Sequence, residues 1–214
     1  MRETGKRGRG RPPAGTGLDS AAVLEAALKA FAERGFDGVS VRELGREIGV
    51  SHALLNARFG SKEDLWFATM ERCMTDLEER LLAVGLDPEM DDLEAVRLAI
   101  IGYVTFSAER PEIHRIMAHE GGIDSERIRF IVDRFVNPIR EVAEQRLTRL
   151  TEAGRIEEVP YTTLHYLITH GTVGLFASPA ETRLLGTTPP TGPEEILRYA
   201  EQVAALIVRG LVIR

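Results

Sequence analysis

The sequence predicts an all-α protein in two parts, and three observations carry that expectation. Helix-start signals recur at Ser40, Ser51 and Ser61, apolar residues beyond Leu65 repeat at helical spacing, and prolines and glycines break the chain at intervals that suit helices. No internal repeat is present. At 214 residues the chain is long enough for one small module plus a core-forming body. The boundaries read as a disordered basic arm at 1–17, a helical module at 18–64 and a helical body at 65–214.

Each element of the module has a local cause. Ser40 followed three residues later by Glu43 forms a capping box, so a helix begins near Ser40. Gly49 ends it, because a glycine takes the left-handed conformation that a β-carbon penalises, and Ser51 then caps a second short helix. Leu44, Ile48, Val50, Leu55 and Phe59 have the spacing to pack two helices at a steep angle, with Gly45 small enough to let the backbones approach. This is a helix-turn-helix pattern, and it points to double-stranded DNA. The outward side chains of its second helix are His52, Ala53, Asn56 and Ala57. Ser61 with Asp64 opens the next helix directly.

The net charge of −6 is polarised. Residues 1–63 hold 11 Lys and Arg against 8 Asp and Glu, a net +3, and residues 64–214 hold 16 against 25, a net −9. A basic end attracts phosphates while an acidic body is repelled by them, which orients the encounter. Within the arm, Lys6-Arg7-Gly8-Arg9-Gly10-Arg11-Pro12-Pro13 has nothing with which to build a core. Arg9-Gly10-Arg11-Pro12 resembles an AT-hook, in which Arg-Gly-Arg lies in a narrow A·T-rich minor groove; Arg7, Arg9 and Arg11 are its candidate contacts. A tail that adds only non-specific affinity is the alternative.

The stretch Val23 to Met70 resembles the DNA-binding domain of the TetR family of bacterial transcriptional regulators. The likeness rests on Leu24-Glu25-Ala26-Ala27-Leu28, Phe31-Ala32-Glu33-Arg34-Gly35-Phe36, Ser40-Val41-Arg42-Glu43-Leu44, Gly49-Val50-Ser51 and Phe59-Gly60-Ser61-Lys62-Glu63-Asp64-Leu65. The resemblance implies that Arg42, His52, Ala53 and Leu54 face base edges, and that Ser40, Asn56, Arg58 and Lys62 hold the backbone. One departure stands out. The family usually has a tyrosine and two aromatic or histidine positions before the phenylalanine, where this chain has Asn56-Ala57-Arg58. The tyrosine phosphate contact is therefore missing, with Asn56 and Arg58 in its place.

Beyond Leu65, helices are expected over Lys62 to Val84, Asp92 to Glu109 and from Pro111 to Glu120. A long segment from Asp124 to Ala153 carries a kink at Pro138, another helix runs from Pro160 to about Ser178, and a last one starts at Thr191-Gly192-Pro193 after a loop containing Pro189-Pro190. The last helix has a broad apolar stripe. The resemblance implies that it and its predecessor form a four-helix homodimer interface, with Gly171, Gly174, Ile196, Val203 and Ile207 in it. Two helix-turn-helix units related by a two-fold axis read a pseudo-palindrome, whereas one makes too few base contacts.

The resemblance also implies a small-molecule effector that controls two DNA-binding states through a pocket in the body. Among the aromatic, sulfur-bearing and histidine residues of the middle region, Trp66, Tyr103, Phe106, Met117, Phe135 and His165 are the candidate lining, with plain core packing as the alternative for each. His114 with His119, and His165 with His170, are each five apart, which in an α-helix puts them on different faces and argues against a metal site. No cofactor, catalytic nucleophile or paired-carboxylate motif emerges, so no enzyme is expected. The single cysteine, Cys73, excludes an intrachain disulfide, and the absence of a secretory leader or an apolar run of about 18 residues suggests a cytoplasmic protein without a membrane partner. The expected function is thus a ligand-responsive repressor. A helical small-molecule- or lipid-binding protein and an architectural DNA-binding protein without effector control are the alternatives.

Overall fold

In the computed structural model the described residues, 19–213, form twelve α-helices and two π-helical turns, with no β-structure beyond the isolated bridge Ile156–Val212. The arm, with Arg7, Arg9 and Arg11, lies outside the described residues. Helix α1 (Ser20–Gly38) is capped by the Asp19 carboxylate, which accepts from the Ala21 and Ala22 amides. Gly35 interrupts it at φ 67°. The module continues with α2 (Val41–Glu47) and α3 (His52–Phe59), and α4 (Lys62–Gly85) leaves it as a long helix.

The body comprises α5 (Asp92–Glu109), α6 (Pro111–Glu120), α7 (Glu126–Ile131), a π turn (Val132–Val136), α8 (Asn137–Glu152), α9 (Tyr161–Tyr166), a second π turn (Leu167–Gly171), α10 (Gly174–Ala177), α11 (Pro179–Leu184) and α12 (Pro193–Leu211). The expectations for α4, α5, α6 and α12 are met within a residue or two. The two long segments depart from expectation. Before Pro138, which has no N–H and whose ring would crowd the carbonyl four residues back, the helix widens into a π turn in place of a simple kink. The helix expected from Pro160 to Ser178 is broken by the second π turn, and α11 fills part of the expected loop.

Module and body share one core. Val23, Phe31, Leu44, Leu55 and Trp66 belong to the same buried cluster as Phe106, Ile113, Ile116, Ile131 and Phe135. Burial of each large side chain contributes about 1.5–3 kcal/mol, so the two parts stabilise one another. A second cluster joins α5 to α12 through Ile100, Val104, Ala200 and Ala204. Arg146 on α8 closes the α4–α5 connection: its buried guanidinium donates to the carbonyls of Val84, Gly85, Asp87 and Met90 and to the Asp92 carboxylate. It thereby satisfies carbonyls that the end of α4 leaves without helical partners.

Candidate nucleic-acid interface and effector cavity

The helix-turn-helix is assembled by its caps and one close approach. The Ser40 hydroxyl accepts from the Glu43 amide at 3.4 Å and the Ser51 hydroxyl from the Leu54 amide at 3.2 Å. Only half of the expected box forms at Ser40, because the Glu43 carboxylate turns to Arg46 at 3.8 Å. The reciprocal box forms at Ser61 instead, where Asp64 Oδ2 accepts from the Ser61 amide at 2.8 Å and the Ser61 hydroxyl accepts from the Asp64 amide at 3.0 Å. The Ser61 hydroxyl, which also lies 2.7 Å from Asp64 Oδ2, and then the Ser61 amide hold the Asp64 carboxyl below its ordinary value. At the turn, Gly49 has φ 73°, and a β-carbon on Gly45 would stand 2.6 Å from the Val50 carbonyl oxygen, so only glycine fits there.

With Leu44 and Leu55 buried between the two helices, the rest of the α3 surface is turned outward. His52, Ala53, Leu54, Asn56 and Arg58 on α3 and Arg42 on α2 are exposed, and Ser40 is half-buried at its cap. Arg58 is steadied by a 3.1 Å bond from Nε to the Ser20 hydroxyl, which leaves its outer nitrogens open. Lys62 is held differently from the residues around it. Its ammonium sits 4.5 Å from the centre of the Phe36 ring and donates to the Asp37 carbonyl at 3.4 Å, so here it fastens α4 to the end of α1.

Phe36 carries a second cation on the body side. The Arg127 guanidinium of α7 lies 3.8 Å from the ring centre, bonds Glu120 at 3.0 Å and reaches Glu63 at 3.5 Å. On the same side His119 packs against Gly35, 3.5 Å from the position a β-carbon would take, and Arg110 bonds the Glu25 carboxylate at 3.0 Å. Helix α6 and its flanks thus grip α1. No sequence pattern paired these residues, since most of these contacts join positions far apart in the chain.

The opposite face of α6 opens on a cavity of about 370 Å³ inside the body, with Ile113, His114, Met117 and Ala118 in its wall. That size falls within the range of small-molecule sites. Tyr103, Phe106, Met117, Phe135 and His165 line it as the residue types suggested. Trp66 does not. It is fully buried in the core that joins module and body, edge-on to Phe67, and is absent from the cavity wall. The geometry also revises the histidine spacing. His165 and His170 both line the cavity, because the π turn at Leu167–Gly171 has i→i+5 bonding and returns residues five apart to one face.

The residues proposed for pairing are partly used inside the protomer. Val203 and Ile207 pack against the α5–α12 cluster, and Gly174 lines the cavity, while Gly171 is exposed and Ile196 half-buried. Among the large apolar side chains left outside, those near these residues are Tyr166 and Leu167 before α10, Leu184 and Leu185 at the end of α11, and Leu197 and Leu206 on α12.

Residues 23–69 match the family model for bacterial regulatory proteins of the tetR family. The transcriptional repressor AcnR of Corynebacterium diphtheriae is 30% identical over 164 residues, which span 75% of this chain and 82% of that protein. The chain belongs to the TetR family. The structure of the ketosteroid transcriptional regulator KstR2 of Mycobacterium tuberculosis superposes on this TetR-family chain with a TM-score of 0.71 at 20% identity, over 95% of this chain and all of that one. The nucleoid occlusion factor SlmA of Vibrio vulnificus is 28% identical over 129 residues, 58% of this chain and 65% of that protein, so the chain spans just under two thirds of that relative. Membership assigns residues 23–69 of this TetR-family chain, which hold the helix-turn-helix, to the domain shared by bacterial regulatory proteins of that family. Among the described residues no helix is long and apolar enough to cross a membrane.

Proposed function

We propose that the protein is a repressor that binds a pseudo-palindromic operator as a homodimer and is released by a small molecule entering the cavity. The observation that carries this reading is the double use of α6: Ile113, His114 and Met117 face the cavity, while His119, on the other face, packs beside Gly35 of α1. A ligand that repositions α6 displaces α1 and with it the recognition helix. Two recognition helices fit successive major grooves about 34–36 Å apart, and a displaced pair does not. The ligand must favour the displaced state: moving the population from 1:99 to 99:1 takes about 5.5 kcal/mol of preference.

In this reading Arg42, His52, Ala53 and Leu54 meet base edges, Ser40, Asn56, Arg58 and Lys62 meet phosphates, and the second copy covers the apolar side chains of α11 and α12. The arm adds minor-groove contacts. The test is a gel shift with operator DNA selected from a random pool, titrated with salt against random competitor. A regulator keeps a large specificity ratio at every salt concentration, whereas equal affinity for operator and competitor removes the reading in favour of an architectural DNA-binding protein.

A further inference from the structure

The cavity wall is apolar except for one polar patch. Its lining includes no Asp, Glu, Lys or Arg, and the ionisable groups on it are His114 of α6, His165 of α9, His170 of the second π turn, Tyr103 of α5 and Tyr161 of α9. The His114 ring stands edge-on to Tyr103 at 5.9 Å between centres. His165 lies 5.6 Å from Tyr161, whose hydroxyl is 3.5 Å from its Nδ1. Tyr166 bridges the two remaining imidazoles, 5.3 Å from each of His165 and His170. His170 is exposed as well as cavity-lining, so the patch sits at the mouth.

His114 Nε2 is buried without a hydrogen-bond partner. Such a group costs free energy unless something supplies the bond, and none of the described residues does. The three imidazoles do not form a metal set, because among the described residues no three His, Cys, Asp or Glu side chains converge to hold one. What they do share is the capacity to accept one proton between them. A cation in this cavity would find no carboxylate to balance it. An anion would find imidazoles that become its counter-charge by taking a proton from water, and a second proton would be opposed by the first.

Resting on the effector reading above, we propose that the cavity takes an amphipathic monoanion, an apolar body ending in a single acid group, with the acid held at His114 Nε2 on the wall that also carries His165 and His170 and one proton taken up from the buffered solvent on binding. Burial fits this arrangement. It holds His114 down at about 4 and His165 below its ordinary value, with His170 opposing the charge on both, so these two rings are neutral at pH 7 in the empty site and a proton on His114 must arrive with the anion. The wall formed by residues such as Leu77, Ile100, Phe106 and Phe135 receives the apolar body.

The full-length protein is titrated calorimetrically at pH 7 with octanoate, 1-octanol and octylammonium, and the octanoate titration is repeated in two buffers of different ionisation enthalpy. Octanoate should bind at least about tenfold tighter than either of the others, as a hydrogen bond to a charged group predicts, with uptake of about one proton. His114→Phe keeps a ring against Tyr103 and removes the nitrogen; it should erase most of the acid preference and leave octanol binding in place. Octanoate no tighter than octanol, or bound without proton uptake, overturns the proposal while the effector cavity stands. If none of the three binds, the effector reading falls with it. The proton count on the unaltered protein decides the matter even if the variant fails to fold.

Discussion

The recognition helix and the cavity are built in opposite ways. Helix α3 rests on one fully buried residue, Leu55, and shows His52, Ala53, Leu54, Asn56 and Arg58 to solvent, all within eight consecutive residues. The cavity collects its wall from residues 74 to 177, from every helix between α4 and α10 and from both π turns. A surface that reads bases needs short, locally capped helices, whereas a cavity needs distant segments to leave a gap without collapsing. A change in the first should therefore act on DNA alone, and a change in the second should act on DNA only through α6.

The most damaging single change falls at the helix-turn-helix. Gly45→Leu puts a side chain where a β-carbon alone would stand 2.6 Å from the Val50 carbonyl oxygen and 3.2 Å from Leu55 Cδ1. Backbone cannot yield as a flexible side chain does, so α2 and α3 must separate at a cost of at least about 1–3 kcal/mol. Specific binding should disappear in a gel shift while calorimetry still finds a ligand in the cavity. Retained operator affinity would show that the close packing at the turn is dispensable.

Next in size is an effect on the cavity side, visible as pH-dependent stability. Burial lowers His114 to about 4 from its ordinary 6.5. The unfolded chain therefore binds a proton that the folded chain refuses between those two values. Stability is complete above about 6.5, falls as the pH drops, and has lost the whole contribution, at most about 3 kcal/mol, below about 4. His114→Phe should flatten this part of the profile in thermal melts from pH 7 to pH 4. An unchanged slope would assign the loss to other groups.

How much of this was legible in the sequence follows the same division. The caps at Ser40, Ser51 and Ser61, the turn at Gly49 and the outward face of α3 are all local features, and each is readable from a few adjacent residues. The Ser40 box shows the limit even there, since Glu43 had a competing partner one turn away in Arg46. In the body, helical spacing identified apolar positions without saying whether they face a gap or a core. Trp66 and Phe106 look alike in sequence, yet one is buried beneath the module and the other lines the cavity. The π turns were invisible to a 3.6-residue period, and for that reason the His165–His170 pair was placed on two faces when it shares one.

Smaller effects separate base reading from anchoring. Arg42→Ala, if Arg42 forks onto a guanine, should cost about 1–3 kcal/mol and relax preference at one operator position. Arg58→Ala should weaken all sequences alike and lower the salt slope by about one unit, because a phosphate contact releases counterions without reading bases. Selection of operators by each variant checks the pair, and reversed results would exchange the two roles.

The mildest change concerns the arm. Replacing Arg9 and Arg11 by lysine keeps the charge, but ammonium groups are more strongly hydrated and resist entry into a narrow groove. Affinity should fall chiefly for operators with A·T flanks, by a modest factor measurable in paired titrations. Equal losses on A·T and G·C flanks would leave an electrostatic tail.

The central claim is that α6 makes the two regions one device, and linkage tests it most directly. If a cavity ligand such as octanoate weakens operator affinity by some factor, saturating operator must weaken ligand affinity by the same factor, because the coupling free energy belongs to both equilibria. The two factors are measured by DNA titration with and without ligand, and by calorimetry of the ligand with and without operator. The account predicts equal factors well above one, and ones that shrink together when Arg110→Ala removes the Glu25 contact at 3.0 Å between α1 and the start of α6. A ligand that fills the cavity and leaves both affinities unchanged would contradict it.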